Sequence, residues 1–399
     1  GSDNVQVFLT SYGTLRSDVE LFARSGQFSC MILDEAQVIK NYASQTSRAV
    51  RRVAEVVGTI RVALSGTPVE NRLAELHSLF EFILPGYLAS SRGEFERDFA
   101  RPIAAEVEKP SDQSASGAEK QRQKMLQRII QPFVLRRLKT DPGVAPDLPK
   151  KIEVDHPCEL SEKQKDLYRA LQETELQGVA SMENSNSMVR RWRVLALLHA
   201  LREVCNHPAT LKAPRRPAGC EEEICPRASV EASGKCVELK RLLQQIRDSQ
   251  EKVVVFCQYL DTIDILEEQI TSYLGSCPLK YTGSLSSQER QRLVSKFQTD
   301  ASCPVMLLSL QAGGVGLTLT AASHVIHFDR CYNPAKENQA TDRVHRIGQE
   351  RTVCVHRLIA TGTFEEKLAE TMARKQRLSD SIVQAGEGWV ADLDDDELR

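Results

Sequence analysis

No stretch of the chain approaches the roughly 18 consecutive apolar residues of a membrane-spanning helix. Apolar runs stop at about five residues, as in Val253-Val254-Val255-Phe256-Cys257, the length of a buried strand. No basic-apolar-small leader opens the sequence. Gly1-Ser2 reads as a cloning remnant, so the natural start is expected upstream. An excess of basic charge is missing too. Lysine and arginine number 52 against 54 aspartates and glutamates, a net charge of −2, so any nucleic-acid surface has to be a local stripe. The 11 cysteines include no repeated Cys-x-x-Cys, which sets aside zinc at Cys205, His207, Cys220, Cys225 or Cys236. Their odd number, with Cys30, Cys257 and Cys354 in apolar strands, points to reduced thiols in a cytosolic setting. Finally, no Gly-x-x-x-x-Gly-Lys-[Ser/Thr] phosphate loop occurs anywhere.

What is present is α/β grammar, twice. At 399 residues the chain exceeds the ~250–300 that one hydrophobic core serves, so two or more domains are expected. A composition 41% hydrophobic and 27% charged excludes wholesale disorder. Strands are expected at 5–9, 30–33 and 62–64, with a helix over 45–57. From Arg72 to Leu138 helical spacing takes over, Leu76, Leu79, Phe80 and Ile83 sharing a face, with a polar loop over 104–122. Pro142, Pro146 and Pro149 mark a linker. Helical patterning resumes over 161–204, and strands are expected at 253–257, 305–310, 325–328 and 353–358. Ser286 with Glu289, and Thr363 with Glu366, read as capping boxes. His324, His327, His345 and His356 lie in or beside strands and read as structural.

Four motifs carry possible chemistry, each with a plainer alternative. Asp34-Glu35-Ala36-Gln37 follows an apolar strand, where open parallel sheets hold their sites. An Asp there can hold Mg²⁺ and a Glu can deprotonate water; the alternative is an acidic helix cap. Ser65-Gly66-Thr67-Pro68 follows the next strand and is otherwise a capped turn. Gln311-Ala312-Gly313-Gly314-Val315-Gly316 can present amides to phosphates, or simply turn tightly. Arg343 and Arg346, three apart, are expected on one helix face, suited to a γ-phosphate; the alternative is a solvated charged helix. Arg51-Arg52, Arg136-Arg137-Leu138-Lys139, Lys150-Lys151 and Arg190-Arg191-Trp192-Arg193 are local basic clusters, either solvated faces or phosphate-backbone contacts.

Taken in order, these motifs resemble the Swi/Snf-like family of superfamily-two helicase-related ATPases, its bacterial branch in particular. Further segments carry the likeness: Thr10-Ser11-Tyr12, Pro132-Phe133-Val134-Leu135-Arg136-Arg137, Asn206-His207-Pro208, Tyr281-Thr282-Gly283 and Gln339 to Gln349. The resemblance implies an α/β fold of two RecA-like parallel-sheet lobes, each with a helical protrusion, closing over ATP, the first lobe incomplete. It places the rest of lobe one at 3–140 with its protrusion at about 72–138, a linker at 141–158, the second protrusion at 159–234, lobe two at 235–385 and an acidic tail at 386–399. Asp34 would coordinate Mg²⁺ through ATP and Glu35 would activate water. Arg343 and Arg346 would be arginine fingers, with Gly314, Gly316 and Gln339 near the nucleotide. Thr10, Ser11, Tyr12, Thr282, Gly283, Ser309, Gln311 and Asn333 would meet DNA. Cys331 departs from the family's usual aromatic residue.

The resemblance therefore implies a fragment of an ATP-dependent translocase on double-stranded DNA that remodels protein–DNA complexes, in a nucleoid-associated, cytoplasmic protein. Lacking the phosphate loop, the fragment is expected not to hydrolyse ATP alone. The competing function is a non-catalytic duplex-DNA-binding or regulatory module; an RNA helicase is disfavoured by the two helical blocks. The remnant of lobe one is expected to form a partial sheet with an unpaired edge on strand 62–64.

Overall fold

The computed structural model describes residues 6–24, 28–66, 73–103, 117–180, 187–212, 215, 225–312, 316–331, 333–370 and 373. Two compact units emerge, one within 1–138 and one spanning Lys139–Ala373.

The first unit opens with helices α1 (Tyr12–Ser17) and α2 (Val19–Arg24), then strand β1 (Phe28–Leu33), α3 (Gln45–Ala54) and β2 (Val57–Ala63). β1 and β2 pair in parallel, as a strand–helix–strand crossover requires. Ser44 starts α3 by accepting the Ser47 amide, and α3 buries Ala49, Val50, Val53 and Ala54. Among the described residues β2 pairs only with β1, so the sheet is the expected partial one. Residues 6–9 form no strand. Val7 and Leu9 are exposed because no ladder partner reaches them, and Phe8 meets only the edge of Phe28.

Helices α4 (Ala74–Ile83), α5 (Arg92–Phe95) and α6 (Gly117–Ile130) follow. α4 serves two clusters. Leu79 and Phe82 face the sheet side, while Leu76 and Phe80 pack with Phe95, Leu126 and Ile130. α6 begins at Gly117, so 117–122 are helical and not loop; the rest of the expected loop lies outside the described residues.

The second unit runs β3 (Lys151–Cys158), α7 (Glu162–Ala180), α8 (Ser187–Asn206), α9 (Gly234–Asp248), β4 (Val253–Cys257), α10 (Leu260–Leu274), β5 (Leu279–Tyr281), α11 (Ser287–Thr299), β6 (Val305–Ser309), β7 (His324–His327), α12 (Pro334–Thr341) and β8 (Val353–Ala360). Its six strands are all parallel, in the order β3-β8-β7-β4-β6-β5. Residues 151–158, expected within a linker, are thus an edge strand. Pro157, which cannot donate to a ladder, suits an edge. Short β5 was also not anticipated; its Leu279 and Tyr281 are the buried positions.

β4 is central and buried along its length. Val253, Val255 and Cys257 face Leu239, Leu242 and Ile263 of α9 and α10, while Val254 and Phe256 face Phe297 of α11. Gly234 opens α9 so close to the Glu159 carbonyl that a β-carbon would stand 1.8 Å from its oxygen. The Ser286–Glu289 capping box forms as expected. Its counterpart does not close: Thr363 Oγ1 accepts from the Glu365 amide, and Glu366 accepts from Gly362 in place of Thr363.

Candidate functional site

Asp34 and Glu35 follow β1 directly, at the carboxyl end of the strand. The backbone turns sharply there, with Glu35 in the left-handed region at φ 49°. Asp34 Oδ1 holds the turn by accepting the Glu35 amide at 2.9 Å. Neither carboxylate caps the short 3-10 turn that follows, Ala36–Ile39, so the helix-cap alternative is not what these acids do. Both side chains are exposed.

Gln37 ties this turn to the end of β2. Its Nε2 donates to Glu35 Oε2 at 2.6 Å, and its Oε1 accepts from Ser65 Oγ at 2.9 Å. Leu33 and Leu64 support the bridge through backbone bonds at 2.8 Å from Leu64 to Leu33 and from Ala36 to Leu64. The spacing flagged both motifs, but Gln37 as their connector was not assigned. Tyr12, one of the residues expected near DNA, donates its hydroxyl to the Asp34 carbonyl at 2.7 Å. Burial, together with Asp34 and Glu35, pushes the Tyr12 phenol up to about 12, so it remains a donor. Ser11 caps α1 through the Thr14 amide at 3.1 Å, and Thr10 is exposed beside it. Thr67 and Pro68 lie outside the described residues.

In the second unit, Gln258, Thr282, Ser309 and Asp329 follow or end strands at the carboxyl edge of the sheet. Thr282 and Ser309 are buried and use their hydroxyls locally, on Ser284 Oγ at 2.8 Å and the Ala312 amide at 3.3 Å. Gly283 and Gln311 are the exposed members; the Gly283 carbonyl accepts from Arg290 at 2.7 Å. Asn333 is buried, and its side-chain oxygen caps α12 through the Ala335 amide at 3.0 Å.

The arginines do not share a helix face. α12 ends at Thr341 and a run of turns carries Arg343 and Arg346. The Arg343 carbonyl accepts the Leu319 amide at 2.9 Å, the bond that a continuing helix would have given to residue 347. That bond joins the arginine segment to the end of the glycine segment. Arg346 is exposed and reaches the Leu317 carbonyl at 3.5 Å, next to exposed Gly316. Gln339 is half-buried on α12, and Gly314 lies outside the described residues. Asp342 pairs with Lys139 at 2.7 Å, and Lys139 also donates to the His345 carbonyl at 2.6 Å.

Behind this edge lies a buried polar relay that the sequence only hinted at through Asn206-His207-Pro208. Asn206 donates to Asp329 at 3.1 Å and accepts from Lys235 at 3.2 Å; Lys235 also pairs with Glu365 at 2.7 Å. Asp329 in turn accepts the Gln258 amide at 2.9 Å. Burial pushes the Asp329 carboxyl up, while Arg202 and Lys235 oppose the shift. His207 bonds the Ser229 carbonyl at 3.0 Å and accepts the Ala209 amide at 3.2 Å, so it is a neutral structural residue. Among the described residues no group of three or more His, Cys, Asp or Glu side chains is placed to hold a metal ion.

Of the basic clusters, Arg51 is spread over the Tyr42 ring at 3.5 Å, Arg52 pairs with Glu55 at 2.6 Å, and Lys151 with Glu153 at 2.7 Å. These are local pairs on the protein itself. The side chains of Arg190, Arg191 and Trp192 lie outside the described residues. No helix among the described residues is long and apolar enough to cross a membrane.

An all-parallel sheet bearing polar side chains at the strands' carboxyl ends in one unit, and a parallel pair bearing an Asp-Glu turn in the other, are the features of a RecA-like α/β protein. Family models agree: the SNF2-related domain matches residues 2–210 and the helicase conserved C-terminal domain matches 234–348. The chain belongs to the SNF2-related, helicase-like ATPase family. It is 41% identical over 400 residues to YwqA of Bacillus subtilis, by its name a candidate ATP-dependent helicase/translocase, covering 100% of this chain and 40% of that protein. It is 31% identical over 425 residues to the TATA-binding protein-associated factor MOT1 of Saccharomyces cerevisiae, covering 99% of this chain and 22% of that one. The SWI2/SNF2 ATPase core domain of Sulfolobus solfataricus superposes with a TM-score of 0.50 at 35% identity, over 100% of this chain and 76% of that chain. The chain thus spans two fifths or less of the two curated relatives.

Proposed function

We propose that this chain is part of an ATP-driven translocase on double-stranded DNA that displaces or remodels DNA-bound proteins. One observation carries the reading: the Asp34-Glu35 turn wired by Gln37 to Ser65 at 2.6 and 2.9 Å. A hydrogen-bonded bridge between two strand ends is what lets a change at the acidic pair be felt at the neighbouring strand. The names of its relatives, a helicase/translocase and a TATA-binding protein-associated factor, support the same direction.

The residues fit Mg²⁺ and ATP in part. Asp34 offers an exposed carboxylate oriented by the Glu35 amide, hard oxygen chemistry suited to Mg²⁺. Bound Mg²⁺·ATP would supply the reactive phosphoryl group and its counter-charge. Asp34 would hold the ion, and Glu35, kept in place by Gln37, would orient and deprotonate the attacking water. Arg343 and Arg346 would neutralise charge growing on the phosphoryl oxygens, with Gln339 and Gly316 nearby in the nucleotide site. Thr10, Ser11, Gly283 and Gln311 are the exposed members of the DNA set. These 399 residues contain no phosphate-loop lysine, so the chain by itself should not turn over ATP. The second reading is a non-catalytic duplex-DNA-binding or regulatory module.

ATPase assays on the longer protein separate the two. The first reading requires DNA-stimulated turnover that Arg343→Ala or Arg346→Ala lowers by ~10³ while duplex affinity holds. Turnover that survives either substitution within a few-fold removes that arginine from the site; no turnover with or without duplex leaves the binding module. For this chain alone, duplex binding should be sequence-blind and fall steeply with salt.

A further inference from the structure

Five side chains in the second unit form one unbroken hydrogen-bonded line. Glu238 Oε1 meets His156 Nδ1 at 2.8 Å, and His156 Nε2 meets His356 Nδ1 at 3.0 Å. His356 Nε2 meets His324 Nδ1 at 3.0 Å, and His324 Nε2 meets Glu251 Oε2 at 2.5 Å. The three histidines come from β3, β8 and β7 and run diagonally across the sheet. Glu238 lies on α9. Glu251 is turned back by Gln250, whose φ of 55° ends that helix with the Glu251 amide on the Ile246 carbonyl. The line runs from His324, the first residue of β7, through His356 in the middle of β8 to His156 in the carboxyl half of β3.

Proton counting constrains this line. Four contacts need four hydrogens. Carboxylates supply none when ionised, and three neutral imidazoles supply only three. Both carboxylates face guanidiniums. Arg241 binds Glu238 at 2.5 and 2.9 Å, and Arg351 stands 3.9 Å from Glu251. The hydrogen bond from Arg241 holds the Glu238 carboxyl below its usual range. Cys354, the other titratable group beside Glu251, is pushed up and stays a thiol. Arg357, Glu153 and Asp155 occupy alternate positions of β8 and β3 and pair among themselves on the opposite face.

We propose that Glu238, His156, His356, His324 and Glu251 share one proton beyond the neutral complement, and that this shared proton locks edge strand β3 to β8, β7, α9 and the residue leading into β4. With the charge on His156, its Nε2–H points at His356 Nδ1, and His356 Nε2–H points at His324 Nδ1. Two hops, from His156 to His356 and from His356 to His324, move the charge to His324 and convert His356 to its Nδ1–H tautomer. Four ring protons are present before and after. A fifth would set two N–H groups face to face between histidines, and removing the fourth would leave one of the four contacts without a hydrogen; either breaks the line. Burial and its two neighbours push His356 down to about 4, as a central ring that stays neutral requires.

The pH consequence has a definite sign. Unfolded histidines titrate near ~6.5, so below that value the unfolded chain binds up to six ring protons against four in the fold, and acid destabilises. Above neutrality the unfolded chain binds about three against four, and base destabilises as well. The lock is strongest near pH ~7, where the two counts match.

The test is imidazole nitrogen NMR of the whole chain with labelled histidine, beside chemical denaturation from pH 5 to 9. The expected result at pH 7 is four protons on these three rings, with His356 averaging two tautomers; near pH 5 the unfolding constant should rise up to ~100-fold for each unit by which the pH falls. His356→Phe should abolish the shared signal and flatten that dependence. Three rings that each carry one proton and titrate independently near 6.5 would overturn the proposal. If His356→Phe does not fold, the ring signals of the unsubstituted protein decide alone.

Discussion

The two parallel sheets are built from similar strands and end in opposite conditions. β1 reads Phe-Ser-Cys-Met-Ile-Leu and β4 reads Val-Val-Val-Phe-Cys, yet β4 is wholly buried while Ile32 of β1 is 62% exposed and Ile60 of β2 55%. Side-chain chemistry does not separate them; neighbours do. β4 has a strand on each side and helices over both faces, whereas β2 has one partner among the described residues. Apolar runs therefore signal that a segment is a strand, and the number of strands beside it decides whether those side chains leave water.

This contrast can be broken by substitution. Phe256→Ala, at the centre of the large sheet, should cost about 3–5 kcal/mol in the second unit's denaturation midpoint, whereas Ile32→Ala should stay within about 0.5 kcal/mol. Equal costs would mean that β1 is covered in solution. Hydrogen exchange sharpens the same point. Amides of β1 and β2 should exchange ~100-fold or more faster than those of β4 and β6, through local opening of the two-stranded sheet. Matching protection would show that the small sheet is supported as well as the large one.

A smaller effect separates the units by pH. His327 is buried, stacked on Phe256 with centroids 5.6 Å apart, and bonded to Thr341 Oγ1 at 2.9 Å. Burial first, then Arg357 and Arg330, push it down to about 3. A histidine lowered from 6.5 to about 3 contributes stability above 6.5 that is lost as pH falls towards 3, because the unfolded chain takes the proton first. His327→Gln should therefore flatten the acid limb of the second unit's unfolding and leave the first unit's unchanged. A further modest effect is expected at Tyr12. Tyr12→Phe removes one hydrogen bond to Asp34, worth about 1 kcal/mol to the first unit, and spectroscopic titration of the native protein should place this phenol near 12.

Much of the fold was legible because parallel strands and amphipathic helices write their own periodicity. Strands 253–257 and 305–310 stand nearly where their apolar runs put them, as β4 and β6, and Ser286 with Glu289 caps α11 as its spacing required. β3 was missed because Pro142, Pro146 and Pro149 read as a linker running into it, and Pro157 interrupts the short alternation of Ile152 and Val154 with charged neighbours. Segment 5–9 was over-read for the converse reason: a strand-like composition forms a strand only when a ladder partner exists. The site was legible as motifs and not as contacts. Asp34, Glu35 and Ser65 could be picked out by position, but Gln37 as their bridge, Asn333 as a cap and the turns that carry Arg343 and Arg346 depend on how the chain bends after each element.

The sequence by itself determined the family, the α/β alternation and which residue types stand at the strand ends, because those are encoded within a dozen or so neighbouring positions. Only the tertiary structure decided the rest. Lys235 meets Glu365 across 130 residues, and Asn206 meets Asp329 across 123. His156 meets His356 across 200, which is what turns three unremarkable histidines into one proton-sharing line. No local pattern records such pairs. They arise when packing places distant side chains in one low-dielectric space, where each buried polar atom has to find a partner or forfeit its solvation.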